Sequence, residues 1–153
     1  MRTVEPRWLR HVLNWWPPFL FSGIKVLELA DDWSRVRVRL GLRWYNHNYV
    51  NTHYGGSLFS MTDPFYMLML MHRLGRDYVV WDKKAEIKFI KAVRQDVYAA
   101  FEISNEQIAD FKRQLESEEK IEPRFEVDIR DREDLLVAKV WKTVHIARKS
   151  RPA

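Results

Sequence analysis

The chain has 153 residues, 26 of them Lys or Arg against 21 Asp or Glu, for a formal charge of +5, and 46% of its residues are hydrophobic. That length and mix suit one compact domain with its own core. Cysteine is absent, which excludes disulfides, thiolate zinc sites and a cysteine nucleophile.

The opening run, Met1-Arg2-Thr3-Val4-Glu5-Pro6, has no apolar stretch of the secretory type. The longest apolar run, Phe65 to Met71, falls far short of the roughly 20 residues that cross a bilayer. A cytoplasmic protein with no stable membrane insertion is the expectation.

A short N-terminal helix is expected over about 5–16, where Trp8, Leu9, Val12, Leu13 and Trp16 recur at helical spacing before Pro17 stops the pattern. Its tryptophans suit a docked helix or a contact between subunits. Residues 24–30 read as a strand, Asp31-Asp32 as a turn, and Ser34 to Leu40 as a half-buried strand whose alternate residues are arginines. A basic strand face invites nucleic acid, but no aromatic stacking platform accompanies it, so no nucleic-acid partner is expected.

Gly41 to Tyr54 is a long polar connection of the kind that usually carries function. A central helix follows over about 56–75, apolar around much of its circumference and stopped by Gly75. Strand patterns then cover Tyr78 to Trp81 leading into Ala85 to Ile90, the alternation Val97, Ala99, Phe101 and Ile103, the run around Phe125, Val127 and Ile129, and Leu136 to Ile146. A charged helical insertion, Asn105 to Glu119, interrupts them, and Lys149 to Ala153 read as a frayed tail. Sequential strands around one apolar helix imply an α+β fold with an antiparallel sheet curved about that helix.

The chemistry concentrates between Asn48 and Asp63. Gly55-Gly56 at a loop-to-helix junction can aim backbone N–H groups at an oxyanion. Asp63 is a lone acid set inside the apolar helix pattern, able to activate water or attack a substrate. Asp63-Pro64 is also a good helix start, which offers a second reading of the acid as a cap and of the pattern as two helices. His53 is a second base in reach by sequence. His47 and His53 lack a third ligand at metal-binding spacing, so no metal is expected.

The string Asn46 to Leu58, followed by Met61 to Met67, resembles the hotdog-fold acyl-CoA thioesterases, in particular the DUF4442-type branch related to the phenylacetate-type enzymes. Leu74 to Lys83 and Ile87 to Lys91 resemble the strand that follows in that branch. The resemblance runs from about Leu13 to Ala147 and implies a hotdog fold: one long central helix wrapped by a curved sheet, here with an extra N-terminal helix.

It also implies a homodimer or homotetramer, an acyl-CoA substrate, and no cofactor beyond the coenzyme A carried by that substrate. Among the residues, it implies Asp63 as base or nucleophile, Gly55 N–H as oxyanion donor, and Asn48 as the group holding the attacking water, with Asn51 and Asn46 as rivals. Asn51, His53, Tyr54 and Gly56 would line the substrate site, and Lys91 and Arg94 would meet the coenzyme phosphates. Tyr54 stands where those relatives carry a histidine, and Ala92 where a proline is common. A non-catalytic acyl-CoA binding module and a hotdog hydratase or dehydratase, pairing His53 with Asp63, remain open beside hydrolysis.

Overall fold

The computed structural model describes residues 5–149. All of the expected tail except Lys149 lies outside them. Helix α1 (Pro6–Trp15) ends where expected, but Pro17 starts a second helix, α2 (Pro17–Ser22), as well as ending the first. Proline suits a first helical position because its missing N–H would have no partner there anyway. Gly23, in the left-handed conformation at φ 81°, closes α2. A Cβ at Gly23 would lie 2.4 Å from Asn46 Nδ2 and 2.8 Å from the Gly41 carbonyl oxygen, so the turn and the long loop press together.

Strands β1 (Ile24–Leu29) and β2 (Arg35–Leu40) form a hairpin. The exposed arginines of β2 face acids on neighbouring segments: Arg35 bonds Glu102 at 2.9 Å, and Arg39 lies 3.8 Å from Asp96. The basic stripe is therefore cross-paired along the sheet.

The central apolar pattern is not one helix. Helix α3 (Gly55–Ser60) and helix α4 (Phe65–Leu74) are separated by Met61 to Pro64. Thr62 and Asp63 donate their N–H groups three residues back, to Phe59 and Ser60, which tightens the end of α3. Pro64 has no N–H to continue the ladder, so the helical hydrogen bonding breaks there. This corrects the single helix over 56–75: apolar spacing runs through the break because both pieces face the same core.

The remaining elements are β3 (Tyr78–Phe89), β4 (Val97–Glu102), α5 (Asn105–Ser117), β5 (Lys120–Ile121), β6 (Arg124–Asp131) and β7 (Leu136–Arg148). Ser104 and Gln107 form a reciprocal capping box that starts α5. The strands make one antiparallel sheet in the order β1-β2-β4-β6-β7-β3, with β5 also paired to β7. Val26 of β1 and Val80 of β3, on the sheet's two outermost strands, share one core with Met69 and Leu70 of α4. The sheet thus wraps α4. Tilted aromatic pairs, Phe19–Phe65 at 6.0 Å and Phe65–Phe101 at 5.0 Å, carry that core from α2 through α4 to β4.

Candidate active site

The loop from Gly41 to Tyr54 builds one wall of the site. Asn48 organises it. Its Nδ2 donates to Thr52 Oγ1 at 2.8 Å and to the His53 carbonyl at 3.1 Å, while its Oδ1 accepts from the N–H groups of Val50 at 3.1 Å and Thr52 at 3.0 Å. An amide side chain has two donors and two acceptor sites, so Asn48 is saturated by its own loop. In this structure its amide shapes the turn.

Asn51 sits exposed at the tip of that turn with φ 61° and donates its N–H to the Asn48 carbonyl. Asn46 is likewise committed, donating to Ser22 and Gly41 carbonyls and accepting from Arg43 N–H.

Behind the loop lies a cavity of about 290 Å³ lined by Asn48, Thr52, His53, Gly55 and Lys91 together with apolar Leu58, Phe89, Ile90, Val93 and Val137. His53 is 6% exposed and its Nε2 lies 2.8 Å from the Gln95 carbonyl. Burial pulls its imidazole below the ordinary histidine range, against the opposing pull of the Gln95 carbonyl and Asp96. It is a wall group bonded to the backbone.

Gly55 and Gly56 open α3, and neither N–H finds an acceptor among the described residues. Gly55 allows a close approach: a Cβ there would lie 3.0 Å from Phe89 Cζ. Tyr54 covers Gly56 with its ring and is otherwise exposed. Lys91 stands exposed at the cavity rim, whereas Arg94 does not line the cavity.

Asp63 occupies a different place. It lies in the break between α3 and α4, outside the cavity lining of its own protomer. It does not cap α4, whose N-terminus receives no side-chain hydrogen bond. Instead its Oδ1 accepts from Lys142 Nζ at 2.8 Å, and Lys142 also lies 2.7 Å from Asp82 Oδ2. The lysine is 2% exposed and Asp63 53%.

Neither Lys142 nor Asp82 was singled out from the sequence. A signal was there: Lys142 shares its strand parity with Val140, Val144 and Ile146, which face the core. Burial pushes the Asp82 carboxyl up, opposed by Lys142 and reinforced by Asp63.

Among the described residues no cluster of three or more His, Asp or Glu side chains is arranged for a metal, and no helix is long and apolar enough to cross a membrane. A larger groove, about 640 Å³, runs between α1 and β1 and is lined by Arg10, His11, Lys25 and Arg39. It shares no lining residue with the loop-and-glycine cavity.

A curved antiparallel sheet wrapped about a central helical axis is the hotdog fold. The chain belongs to the family described as a domain of unknown function, DUF4442, whose model matches residues 7–146. Among solved structures it resembles PA5026 from Pseudomonas aeruginosa, described as a probable thioesterase, with a TM-score of 0.82 at 18% identity over 95% of this chain and 97% of that one. Thioesterase HI1161 from Haemophilus influenzae aligns with a TM-score of 0.68 at 12% identity over 96% of this chain and 93% of that one. A mutant of thioesterase PA1618 from Pseudomonas aeruginosa aligns with a TM-score of 0.68 at 8% identity over 97% of each chain. No curated protein matches the chain.

Proposed function

We propose that the protein is an acyl-CoA thioesterase, releasing a free acid and coenzyme A. The observation that carries this reading is the Gly55 N–H, without an acceptor among the described residues, at the wall of a 290 Å³ cavity whose other walls are mostly apolar. An acyl chain suits the apolar walls, and its thioester carbonyl oxygen suits the free N–H groups at the start of α3. Fixed donors at that point stabilise the oxyanion as it forms and need no reorganisation during the reaction. The solved thioesterases that share the fold support the same class.

The carboxylate comes from a second copy of the chain. Asp63 stands outside its own protomer's cavity, and β3, paired on one side only, gives a second copy a twelve-residue edge to join. Trp81 and Phe89 on that strand are 47% and 57% exposed, which supports a homodimer, or a homotetramer built from it. In the assembly Asp63 takes a proton from water as the water oxygen attacks the carbonyl, and that proton passes to sulfur as the C–S bond breaks and coenzyme A leaves as thiol. In the direct route the Asp63 carboxylate attacks the carbonyl, coenzyme A leaves as thiolate and is protonated from water, and a second water cleaves the acyl-aspartyl anhydride to free acid and restored carboxylate. Lys91 at the rim faces the phosphates of the coenzyme.

The position of Asp63 outside the cavity favours one second reading, a module that binds acyl-CoA without turning it over. One experiment separates these. Wild type and Asp63→Asn are incubated with acyl-CoA thioesters of graded chain length, and thiol release and double-bond hydration are followed together. Hydrolysis expects thiol release by wild type and a loss of about 10²-fold or more in the variant. Binding without release supports the module, hydration supports a hydratase, and full turnover by Asp63→Asn removes that residue from the mechanism.

A further inference from the structure

Lys142 is the most deeply buried charged side chain of the described residues, and nothing in the core requires a lysine there. It stands on β7 in a row of inward-facing residues, between Val140 and Val144. An ammonium in such a row is tolerated only when paired and hydrogen-bonded. The fold supplies both partners from different elements.

Asp82 comes from β3 through a bulge. The β3–β7 register pairs Asp82 with Val144 and Lys84 with Thr143, so one residue, Lys83, is left over. That extra residue reverses which side chains face inward: Val80 and Asp82 do so before it, Ala85 and Ile87 after it. Asp82, paired with inward-facing Val144, shares the face of Lys142 two residues along β7. Asp63 arrives from the helix break, 79 residues away in sequence from Lys142. Bulge, helix break and buried lysine meet at one point.

We propose that Lys142 is a positioning residue for Asp63: its ammonium clamps Oδ1 and leaves Oδ2 as the oxygen that receives the proton of water or attacks the thioester. This rests on the thioesterase reading given above. The contacts assign the roles within the cluster. Lys142 itself is closed off from solvent and from any substrate, so it neither binds nor exchanges a proton with one. Asp82 balances its charge from the inner side, with Oδ1 buried and without a hydrogen-bond partner. Asp63 is the exposed member, held at Oδ1 by the lysine and close enough to Asp82 for the two carboxyls to interact. A helix break gives a carboxylate little intrinsic rigidity, and a bond to an immobile partner on the sheet restores it.

The test compares Lys142→Met, Lys142→Arg and the double variant Lys142→Met/Asp82→Asn. The double variant removes the charge together with its inner counter-ion and keeps a foldable core where the single change strands Asp82. Steady-state thioester hydrolysis is measured for each, alongside thermal melting. A positioning role expects kcat to fall by about 30-fold or more in Lys142→Met and in the double variant, with KM changed less than about threefold, since no substrate contact is lost. Lys142→Arg, which keeps a cation, restores part of kcat. The double variant melts higher than Lys142→Met and remains as slow.

Wild-type kcat in a folded double variant overturns the proposal, as does a rise in KM with kcat unchanged. The clamp is also read without activity. If it exists in solution, the melting losses of Asp63→Asn and Lys142→Met are smaller in combination than their sum, and strict additivity overturns it. A wild type that hydrolyses no thioester overturns the thioesterase reading, while that cycle still decides whether the clamp is formed.

Discussion

Phe89 lies across the backbone of Gly55, so that a methyl group at position 55 would meet Cζ of the ring at 3.0 Å and Cε1 at 3.3 Å. The ring belongs to the end of β3, is 57% exposed and forms part of the cavity wall. Gly55→Ala is therefore expected to push the ring rather than break the fold. The melting temperature should stay within about 3 °C of wild type, while thioester turnover falls about tenfold or more as the N–H wall is reshaped. Gly56→Ala is the control. Its methyl would meet the exposed Tyr54 ring, which can swing into solvent, and most of the turnover should survive.

Asn48 gives a prediction that separates a loop-builder from a water-holder. Asn48→Ala removes four hydrogen bonds made by one side chain. Unfolding in urea should show a loss of roughly 2–4 kcal/mol. A group that merely held water would lower kcat and leave the urea midpoint in place.

His53 predicts a pH dependence of stability. Burial lowers its folded value from the ordinary 6.5, so the unfolded chain binds the proton more readily than the folded one. The stability tied to the neutral imidazole is therefore present above 6.5 and is lost as pH falls from there through the lower folded value. Melting curves taken on either side of that window should show the wild type losing stability as acid is added. In His53→Gln, which can still donate to the Gln95 carbonyl, the slope should flatten.

Tyr66 tests the core apart from the site. Its hydroxyl donates to the Glu126 carbonyl at 3.1 Å, its ring stacks on Phe125 at 4.4 Å, and burial pushes the phenol up to about 12. Tyr66→Phe should cost about 1 kcal/mol in denaturant unfolding and leave thioester turnover unchanged. The phenolate absorbance of Tyr66 should be missing from an alkaline titration until about pH 12.

What could be read from the sequence divides along physical lines. The alternation from Arg35 to Leu40 reports a half-buried strand because strand side chains switch faces at every residue, and β2 falls there. The Ser104–Gln107 pair marks the start of α5 through local hydrogen bonds alone. Local signals failed where one residue carried two meanings. Pro17 both stops a helix and begins one, and only the stop was read. Apolar spacing passed through Pro64 because both helical pieces bury the same face, so the break showed only as the alternative reading of Asp63-Pro64.

The cavity residues Asn48, His53 and Gly55 were found as a group because they are neighbours along one loop. Asp82 and Lys142 were not, because their meeting depends on a bulge and a strand register set by the whole sheet. The side chain of Asn48 stands out in the sequence, but its hydrogen-bond partners do not. Its four bonds go to neighbours within a few residues, yet a sequence does not say which polar groups have already satisfied one another.

Among the described residues β3 has a single neighbour in the sheet, β7, which follows it by 47 residues from the end of one to the start of the other. As the polypeptide leaves the ribosome, the bulged strand and the broken helix emerge well ahead of the lysine that joins them. Until β7 arrives, β3 has no partner and two carboxylates stand without their cation. Lys142 is therefore made after the two carboxylates it joins, so a nascent chain halted before β7 would carry the loop and its glycines with Asp63 and Asp82 lacking their shared cation.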